Sequence, residues 1–285
     1  MFNILEKKMI VPNLHLLTVE APAVAAGVQP GQFVIIRPSE EGERIPLSVA
    51  DWDREKGTVT VIFMEVGNST AMLAALESGM SVPTFVGPLG KPTEIDKFGT
   101  VACLGGCYGI GSIFPVARAL KEKGNKVITV IEARSSYLFY WEDKLSKVSD
   151  KLIHITRDGT KGHRGHVGRL NIILDSEHVD RLFVNGCTYL LQKGSEVSRL
   201  LGTKTVVSLN PIMLDGTGMC GVCRVSVGGT TKFACVHGPD FDGHEVDWAE
   251  LLQRRKSYLK EEVIPLRTSR CEDHQMTFED PNITS

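Results

Sequence analysis

The segment LDGTGMCGVCRV, residues 214–225, places a carboxylate and two thiols in a run rich in glycine. With the next cysteine along the chain it gives the pattern D-x4-C-x2-C-x11-C, formed by Asp215, Cys220, Cys223 and Cys235. A [2Fe–2S] cluster needs four anionic ligands, mostly thiolates, and backbone N–H groups that donate to its sulfides. Glycine lets the backbone approach closely enough to donate them. These side chains are therefore the predicted cluster ligands.

Two other interpretations of this segment stay open. A zinc site could use the three cysteines with either His237 or Asp215. Such sites more often close with a second C-x2-C or an H-x3–5-H pair, and the segment has neither. The segment could also be a glycine hairpin with idle thiols. The x4 and x2 spacings match plant-type clusters, with aspartate in the place of the first cysteine, and this favours iron and sulfide.

A second glycine-rich run lies between a predicted strand and a predicted helix. GTVACLGGCYGIGSIFPVARAL contains Gly105, Gly106, Gly109 and Gly111. Backbone there could approach a pyrophosphate at a helix N-terminus, although a tight strand–helix turn would use similar residues. Glu132 stands after the next strand, where an acidic group binds the ribose hydroxyls of NAD, and Arg134 could instead accept a 2′-phosphate. The favoured ligand is NAD(H).

Three short motifs in the N-terminal third are further candidates for binding a cofactor. ERIPLSVADW follows a strand and combines Arg44, Pro46 and Ser48. GNST, residues 67–70, opens a helix, and GPLG, residues 87–90, is predicted to be a turn at a domain junction. Each has an ordinary explanation as a turn or a helix cap. Their order along the chain is what makes them candidates.

Residues 1–96 are predicted to form a small antiparallel β-barrel. The runs LHLLTVEAP, GQFVIIRP, GTVTVIFMEV and MSVPTFVGPLG alternate in polarity and are bounded by glycine, proline or charged residues. STAMLAALESG is the one obvious helix in this part and is expected to end at Gly79. Strands at this spacing with one helix are typical of a barrel.

Residues 97–210 alternate between predicted strands and helices. The strands are GTVACLGG, NKVITVIEARS, KLIHITRDG, RLFVNGC and TVVSLNP, and the helices are YGIGSIFPVARALKEKG, EDKLSKVSD, HVGRLNIILDSEHVD and SEVSRLLGTK. This alternation with short loops predicts a doubly wound parallel sheet covered by helices. Residues 211–250 hold the cysteine segment and a hairpin across Gly228–Gly229. Residues 251–285 are expected to continue the helix WAELLQRRKSYLKEEV into a tail that lies on a partner chain.

The composition of the 285 residues excludes several classes of protein. A net charge of −2 offers no overall basic field to nucleic acid or acidic lipid. The seven cysteines are an odd number, and the first residues, MFNILEKKMIVP, lack the apolar core of a signal peptide. The longest uncharged stretch, residues 99–117, contains glycines and a proline and does not resemble a membrane span. We expect a cytoplasmic protein that binds neither nucleic acid nor membrane.

The order of these motifs resembles the ferredoxin–NADP reductase superfamily over nearly all of residues 1–250. Within it, the chain resembles the electron-transfer subunits of class B dihydroorotate dehydrogenase. It is more similar still, through D-G-T-G-M-C-G-V-C, to the small (alpha) subunits of NADH-dependent ferredoxin–NADP oxidoreductases, also called sulfide dehydrogenase beta subunits. The resemblance implies an N-terminal antiparallel β-barrel for FAD, a doubly wound parallel-sheet domain for NAD(H), and a small C-terminal [2Fe–2S] subdomain.

The same resemblance implies two sets of binding residues and no catalytic side chain. The FAD set is Arg44, Pro46, Leu47, Ser48, Ile62, Phe63, Met64, Gly67, Ser69, Thr70, Gly87 and Leu89. The NAD(H) set is Gly105, Gly106, Gly109, Gly111, Glu132, Arg134, Asp158, Asn185, Gly186 and Cys187. Asn-Gly-Cys stands where the superfamily often has Cys-Gly-Pro. Cys187 is therefore expected to be a buried structural thiol.

The cofactors predict an electron-transfer protein. NADH delivers electrons in pairs, an iron–sulfur cluster takes them singly, and a flavin does both and so belongs between them. The resemblance implies a heterodimer with a large subunit that carries a second FAD and [4Fe–4S] clusters and reacts with NADP(H) and ferredoxin, which makes the assembly an electron-bifurcating transhydrogenase. The alternatives are the electron-transfer subunit of dihydroorotate dehydrogenase or of another NADH-linked oxidoreductase and, outside enzymes, a zinc-stabilised binding module.

Overall fold

The computed structural model describes residues 1–174 and 177–257, which form two large sheets and one hairpin. The predicted C-terminal tail and the end of the predicted helix before it, residues 258–285, lie outside the described residues. In the part of the chain that is described, no helix is both long and apolar enough to cross a membrane.

The N-terminal sheet is antiparallel throughout. Its strands are β1 (Phe2–Val11), β2 (Leu14–Glu20), β3 (Phe33–Arg37), β4 (Ile45–Asp53), β5 (Thr58–Met64), β6 (Ser81–Val82) and β7 (Thr84–Leu89), with helices α1 (Pro22–Gly27) and α2 (Asn68–Ala74) between them. They pair in the order β6-β1-β2-β5-β4-β3-β7. The two end strands are separated by one residue, so the sheet curves round on an apolar interior that includes Leu17, Val61 and Phe85. The predicted barrel is confirmed.

Four details of the barrel differ from the prediction. β1 was not predicted, because its centre is charged and Ile4 is its one buried residue. β4 was not predicted as a strand either, although Pro46 pairs with Ile35 across it. α2 ends at Ala74, before Gly79, because the chain must turn there to let Gly79 N donate to Ile4 O (2.8 Å). Residues 87–89 of GPLG belong to β7 rather than to a turn.

The second sheet is parallel except at one edge. Its parallel strands are β8 (Thr100–Gly106), β9 (Lys126–Ala133), β10 (Lys151–Thr156), β11 (His163–Arg164), β12 (Arg181–Asn185) and β13 (Lys204–Ser208), in the order β11-β10-β9-β8-β12-β13. The helices are α3 (Gly109–Glu122), α4 (Glu142–Ser146), α5 (Leu170–Leu174) and α6 (Thr188–Leu200). From β8 the chain adds β9, β10 and β11 on one side and then β12 and β13 on the other. The switch point of the sheet therefore lies between β8 and β12. Ligands bind at such points, outside the carboxyl ends of the strands.

One helix of this sheet begins earlier than the sequence indicated. The prediction started α6 near Ser195, but it starts at Thr188. The first half of α6 was not predicted because Gly194 follows it, and glycine inside a helix weakens the helical pattern. The structure explains this glycine: a Cβ there would lie 3.3 Å from Val184 Cγ2, so its absence lets α6 lie close against β12.

The cysteine segment shares the core of the second sheet. It contains the hairpin β14 (Arg224–Val227) and β15 (Thr230–Phe233), then α7 (Ala234–His237), β16 (Asp240–Asp242) and α8 (Trp248–Arg255). β16 pairs antiparallel with β13 and becomes an edge of the second sheet. Val225 and Leu251 are buried in the same apolar cluster as Leu104 of β8. Cys223 and Cys235 are buried in this cluster, whereas Cys220 is exposed. The predicted boundaries at residues 96, 210 and 250 stay predictions.

A cluster of charged and aromatic side chains joins the barrel to the second sheet. Asp51 on β4 accepts a hydrogen bond from Arg118 Nη1 of α3 (2.9 Å) and is also paired with Lys144 of α4. The Arg118 guanidinium lies 4.9 Å from the ring centre of Trp52, and Lys144 Nζ lies 4.0 Å from that of Trp141. These contacts tie β4 to two helices of the other domain.

We expect Asp51→Ala to lower the free energy of unfolding by about 2 kcal/mol, because it leaves two partly buried cations without their shared carboxylate. Glu196→Ala removes the exposed Lys193–Glu196 pair and should cost less than about 0.5 kcal/mol. Denaturant unfolding of both variants measures the difference. Equal losses would contradict the role given to Asp51.

Candidate functional site

A cavity of about 560 Å³ lies between the barrel and the carboxyl ends of β8 and β12. Its barrel wall includes Pro46, Leu47, Ser48, Ile62, Phe63, Met64 and Thr70. Its sheet wall includes Tyr108, Ser112, Asn185, Gly186 and Cys187. Its base includes Leu209, Asn210, Pro211, Met213, Pro239 and Arg255. Residues predicted for FAD and residues predicted for NAD(H) therefore face each other across one space.

At the edge of the cavity, α3 begins directly against the barrel. A Cβ on Gly111 would lie 2.6 Å from Ile62 Cδ1 and 3.4 Å from Ala50 Cβ, so glycine is required for this approach. Gly111 N donates to the buried Tyr140 hydroxyl (2.9 Å), which fixes the first turn of the helix. The loops after β8 and β12 are equally close, since a Cβ on Gly109 would lie 2.0 Å from Asn185 O.

A hydrogen-bond network spans the switch point at the cavity base. The Tyr108 hydroxyl donates to Gly186 O (3.0 Å), and Asn210 Nδ2 donates to the same hydroxyl (2.6 Å). Arg255 Nη1 donates to Thr188 Oγ1 (2.6 Å) and to Asn210 Oδ1 (2.7 Å). Burial raises the pKa of Tyr108 to about 12, against the opposing effect of the Arg255 charge. Tyr108 is therefore a neutral donor near pH 7.

Several residues of the FAD set do not line the cavity. Arg44 is exposed on the turn before β4. Gly67 precedes α2, where the Thr70 hydroxyl accepts from Gly67 N (3.0 Å) and from Val66 N (2.9 Å). Ser69, Gly87 and Leu89 also do not line the cavity.

The acidic and basic residues of the NAD(H) set also lie away from the cavity. Glu132 lies inside β9, near its end; it is buried, and its Oε2 accepts from Val167 N (2.7 Å). Burial raises the pKa of Glu132, with that bond and Arg157 opposing the effect. Arg134 is exposed after β9, and Asp158 accepts from Thr160 N (3.0 Å) in an exposed turn. Their role with the dinucleotide stays a prediction.

The glycines of the strand–helix turn have packing roles of their own. A Cβ on Gly105 would lie 2.9 Å from Gly109 O, and one on Gly106 would lie 2.8 Å from Leu190 Cδ2. Their side-chain faces are therefore filled by neighbouring protein. This is the tight-turn explanation that the sequence left open, and it leaves their backbone N–H groups as their contribution to a ligand.

The prediction that Cys187 is a buried structural thiol is wrong. Cys187 is exposed and lines the cavity. It is the residue before α6, and it has extended backbone there (φ −67°, ψ 157°). A helix-capping position at the carboxyl edge of a sheet faces the ligand crevice rather than the core, which is the physical reason for the difference.

The four predicted cluster ligands lie in two pairs. Cys223 and Cys235 are buried, with their Sγ atoms 3.2 Å apart. Asp215 Oδ2 accepts from Cys220 N (2.7 Å) and Oδ1 from Thr217 N (2.9 Å). The bond from Thr217 N is the main cause of the lowered pKa of Asp215, so this carboxylate is ionised. Within the described residues, no three His, Cys, Asp or Glu side chains converge closely enough to enclose a metal ion.

The loop nevertheless fits an iron–sulfur cluster in its donors and in its backbone. Burial and the neighbouring Cys223 raise the pKa of Cys235 to about 12, so the Cys235 thiol keeps its proton near pH 7 unless a metal replaces it. Gly216, Gly218 and Gly221 all have positive φ (75°, 87° and 67°). Such backbone turns N–H groups inward and forms the concave nests that hold iron–sulfur centres.

The cysteine loop packs on the barrel beside the cavity. A Cβ on Gly216 would lie 2.7 Å from Leu89 Cδ1 and 3.0 Å from Ile35 Cγ1. Met213 and Pro239, which flank the predicted ligands in the chain, reach the base of the cavity. Leu89 thus contacts the cluster loop instead of the cavity.

The comparisons with known proteins decide the family. Residues 210–247 match the model of the iron–sulfur cluster binding domain of dihydroorotate dehydrogenase B. A homologue of the electron-transfer subunit of dihydroorotate dehydrogenase B (NAD(+)) from Thermotoga maritima is 42% identical over 263 residues, which cover 92% of this chain and 93% of that protein. The chain belongs to this electron-transfer subunit family. The electron-transfer subunit from Bacillus cereus strain Q1 is 29% identical over 85% of this chain and 96% of its own length.

Solved structures agree with the family. A structure of NADH-dependent reduced ferredoxin–NADP oxidoreductase, described for flavin-based electron bifurcation, matches with a TM-score of 0.90 and 40% identity over 95% of this chain and 98% of that one. A Neisseria gonorrhoeae ferredoxin NADP+ reductase with bound FAD and NADP matches with a TM-score of 0.58 and 15% identity over 70% and 90%, which shows the fold alone. The predicted recognition, fold class and cofactors (FAD, iron–sulfur and NAD(H)) of this electron-transfer subunit are confirmed.

The family model and the position of His237 favour an iron–sulfur site over the zinc site that the sequence left open. The family model for this segment describes an iron–sulfur domain. His237, the histidine that a zinc site could have used, accepts from Phe233 N at its Nδ1 atom (3.0 Å) and so closes the hairpin end. Sequence reasoning missed Tyr108, Asn210 and Arg255, because nothing in their local pattern points to a common site.

We expect Gly218→Ala to lower the iron and acid-labile sulfide content of the protein by at least half, because its Cβ would lie 2.6 Å from Val236 Cγ2 and would distort a loop already at positive φ. Gly229→Ala is the matched control: its φ is +71°, but nothing lies within 4 Å of the added carbon. Equal cluster contents in the two variants would show that the loop's close packing is irrelevant.

Proposed function

We propose that this chain passes electrons between NAD(H), FAD and a [2Fe–2S] cluster and delivers them to a large flavoprotein subunit, as in NADH-dependent ferredoxin–NADP oxidoreductase. The observation that carries this proposal is the cavity between the two domains, whose base includes Met213 and Pro239, two residues that flank the predicted cluster ligands. The 40% identity to that enzyme's structure supports it.

The barrel wall suits a flat, largely apolar ring. Pro46, Leu47 and Phe63 present apolar surface, and Ser48 adds a hydroxyl. Together they would exclude water from one face of a bound flavin and hold its plane toward the sheet wall. When bound, FAD supplies the conversion between paired and single electrons.

The sheet wall suits the nicotinamide end of a dinucleotide. Asn185, Gly186 and Cys187 stand at the switch point, opposite the barrel wall. The Tyr108 and Asn210 hydrogen bonds hold Gly186 in its backbone conformation, φ +150°. A hydride donated by NADH would carry its hydrogen together with both electrons, so no described side chain in the cavity has to act as an acid or base for that transfer.

In this proposal, electrons leave the chain through the cysteine loop. Leu214, Met219 and Val236 are apolar side chains that surround it and are 45%, 89% and 39% exposed. Burying such surface drives association. We propose that the large subunit covers these side chains, that it carries FAD and [4Fe–4S] clusters and connects to NADP(H) and ferredoxin, and that the heterodimer works in the cytoplasm.

A second candidate is the electron-transfer subunit of dihydroorotate dehydrogenase. The family model of residues 210–247 and the Thermotoga maritima relative favour it. Purification of the native complex without oxygen, followed by assays with NADH, NADPH, ferredoxin and orotate, separates the two. Ferredoxin-dependent transfer between NADH and NADP(H) supports the first function, and reduction of orotate by NADH supports the second.

We expect NADH to bleach the flavin of the complex without oxygen, and Gly186→Ala to slow this reduction roughly tenfold or more. A Cβ on Gly186 would lie 2.9 Å from Gly106 O and would move the switch-point loop against the ring it positions. Gly202→Ala, at φ +66° with nothing within 4 Å, is the control and should reduce at the wild-type rate. Stopped-flow absorbance measures both. A wild-type flavin that NADH does not reduce would contradict the proposed function.

We expect Asp215→Cys to lower the potential of the cluster by roughly 50 mV or more. A carboxylate donates less electron density to ferric iron than a thiolate, so aspartate stabilises the oxidised form less, while the ligand charge is the same. Redox titration followed by EPR measures the change. Thr217→Ser, in the same loop, is the control and should leave the potential in place. An unchanged potential in Asp215→Cys would remove Asp215 from the ligand set.

A further inference from the structure

Among the described residues that line the cavity, Arg255 is the one with a charged side chain. It stands at the end of α8, outside both predicted nucleotide-binding domains. Its Nη1 atom is held by Thr188 Oγ1 (2.6 Å), Asn210 Oδ1 (2.7 Å) and Asn210 O (3.2 Å). Within residues 1–174 and 177–257, its Nη2 and Nε groups donate to no other atom. The guanidinium is thus fixed by one nitrogen and keeps further donors.

The location of Arg255 assigns it to the dinucleotide rather than to the flavin. Its partners belong to the loops that follow β12 and β13, on the sheet side of the cavity. Asn210 in turn donates to Gly186 O (3.1 Å) and to the Tyr108 hydroxyl, so the network ends at the switch point. The switch point of such a sheet is where a dinucleotide crosses the strands.

The same location distinguishes between the two ends of the dinucleotide. Gly105, Gly106 and Gly109 of the strand–helix turn, predicted for the pyrophosphate, are not part of the cavity lining, whereas Gly186 and Cys187 are. The part of the ligand that enters the cavity must face the barrel wall, and only the nicotinamide has to meet the flavin there. Arg255 is therefore beside the nicotinamide end.

Resting on the proposed function, we propose that Arg255 binds the nicotinamide carboxamide oxygen and makes the site prefer NADH to NAD+. A guanidinium donates to the carboxamide oxygen in both redox states. The nicotinamide ring is uncharged in NADH and cationic in NAD+, so a fixed positive charge nearby repels only the oxidised form. The geometry thus gives one residue two effects, a shared hydrogen bond and a charge that distinguishes substrate from product.

The test compares dissociation constants in the cofactor-loaded complex. NADH, NAD+ and ADP-ribose, which lacks the nicotinamide, are titrated against the wild type, Arg255→Gln, Arg255→Met and Arg255→Lys. Lys256→Gln makes the same charge change one residue along, on a side chain that is not part of the cavity lining. Arg255→Met keeps the methylene stem and is measured in parallel, so that an unfolded glutamine variant still leaves a neutral one.

We expect both neutral variants to weaken NADH binding about tenfold, to weaken NAD+ binding less than about threefold, and to leave ADP-ribose unchanged. Arg255→Lys should retain the preference for NADH, and Lys256→Gln should behave as the wild type. Equal weakening of NADH and NAD+ would overturn the charge effect, and an equal loss for ADP-ribose would place the guanidinium at the pyrophosphate. If the wild type itself bound no NADH, the proposed function would fail and not this assignment alone.

Discussion

The approach of the α3 N-terminus to the barrel is the contact on which the arrangement of the site depends. The proposed function requires a hydride to pass from nicotinamide to flavin, which needs the two rings in contact, so the barrel wall and the sheet wall would have to lie a fixed and small distance apart. Gly111 makes this possible, since any larger residue would collide with Ile62. Asp51 holds the same interface from the outside through Arg118 and Lys144. The contacts of Gly111 and Asp51 thus fix how closely the sheet domain approaches the barrel.

The cysteine segment, residues 211–250, also connects the two domains. β16 extends the nucleotide-domain sheet, and the loop rests on Ile35 and Leu89 of the barrel, so the segment touches both domains. α8 adds two neighbouring arginines with different partners: Arg254 Nη2 donates to Val222 O between the two loop cysteines (3.1 Å), and Arg255 reaches the cavity. One short helix therefore connects the loop that carries the cysteines to the cavity between the two domains.

The sequence predicted the parts of this site that are local and missed those that are assembled from distant segments. The barrel, the parallel sheet and the strand–helix turn each depend on a few consecutive residues, and periodicity and turn chemistry describe these well. The four-ligand set of the cysteine segment stays a prediction. Tyr108 and Asn210 are far apart in the chain and meet only because β8 and β13 flank β12. Arg255 sits in a charged run that resembles any solvent-facing helix. Cys187 was wrongly predicted to be buried, because the exposure of a loop residue depends on whether the loop borders a crevice, which the local sequence does not show.

Asp215 has a structural role in the cysteine loop besides its predicted role as a ligand. Both carboxylate oxygens of Asp215 accept backbone N–H groups of the loop, from Thr217 and Cys220. A thiolate in this position is a weaker acceptor and has one atom where the carboxylate has two. The aspartate therefore shapes the turn that carries Cys220 before any metal is bound, and the lowered pKa that results keeps it anionic, as a ligand to iron must be. The geometry of the loop and the charge required of the predicted ligand therefore both favour aspartate at this position.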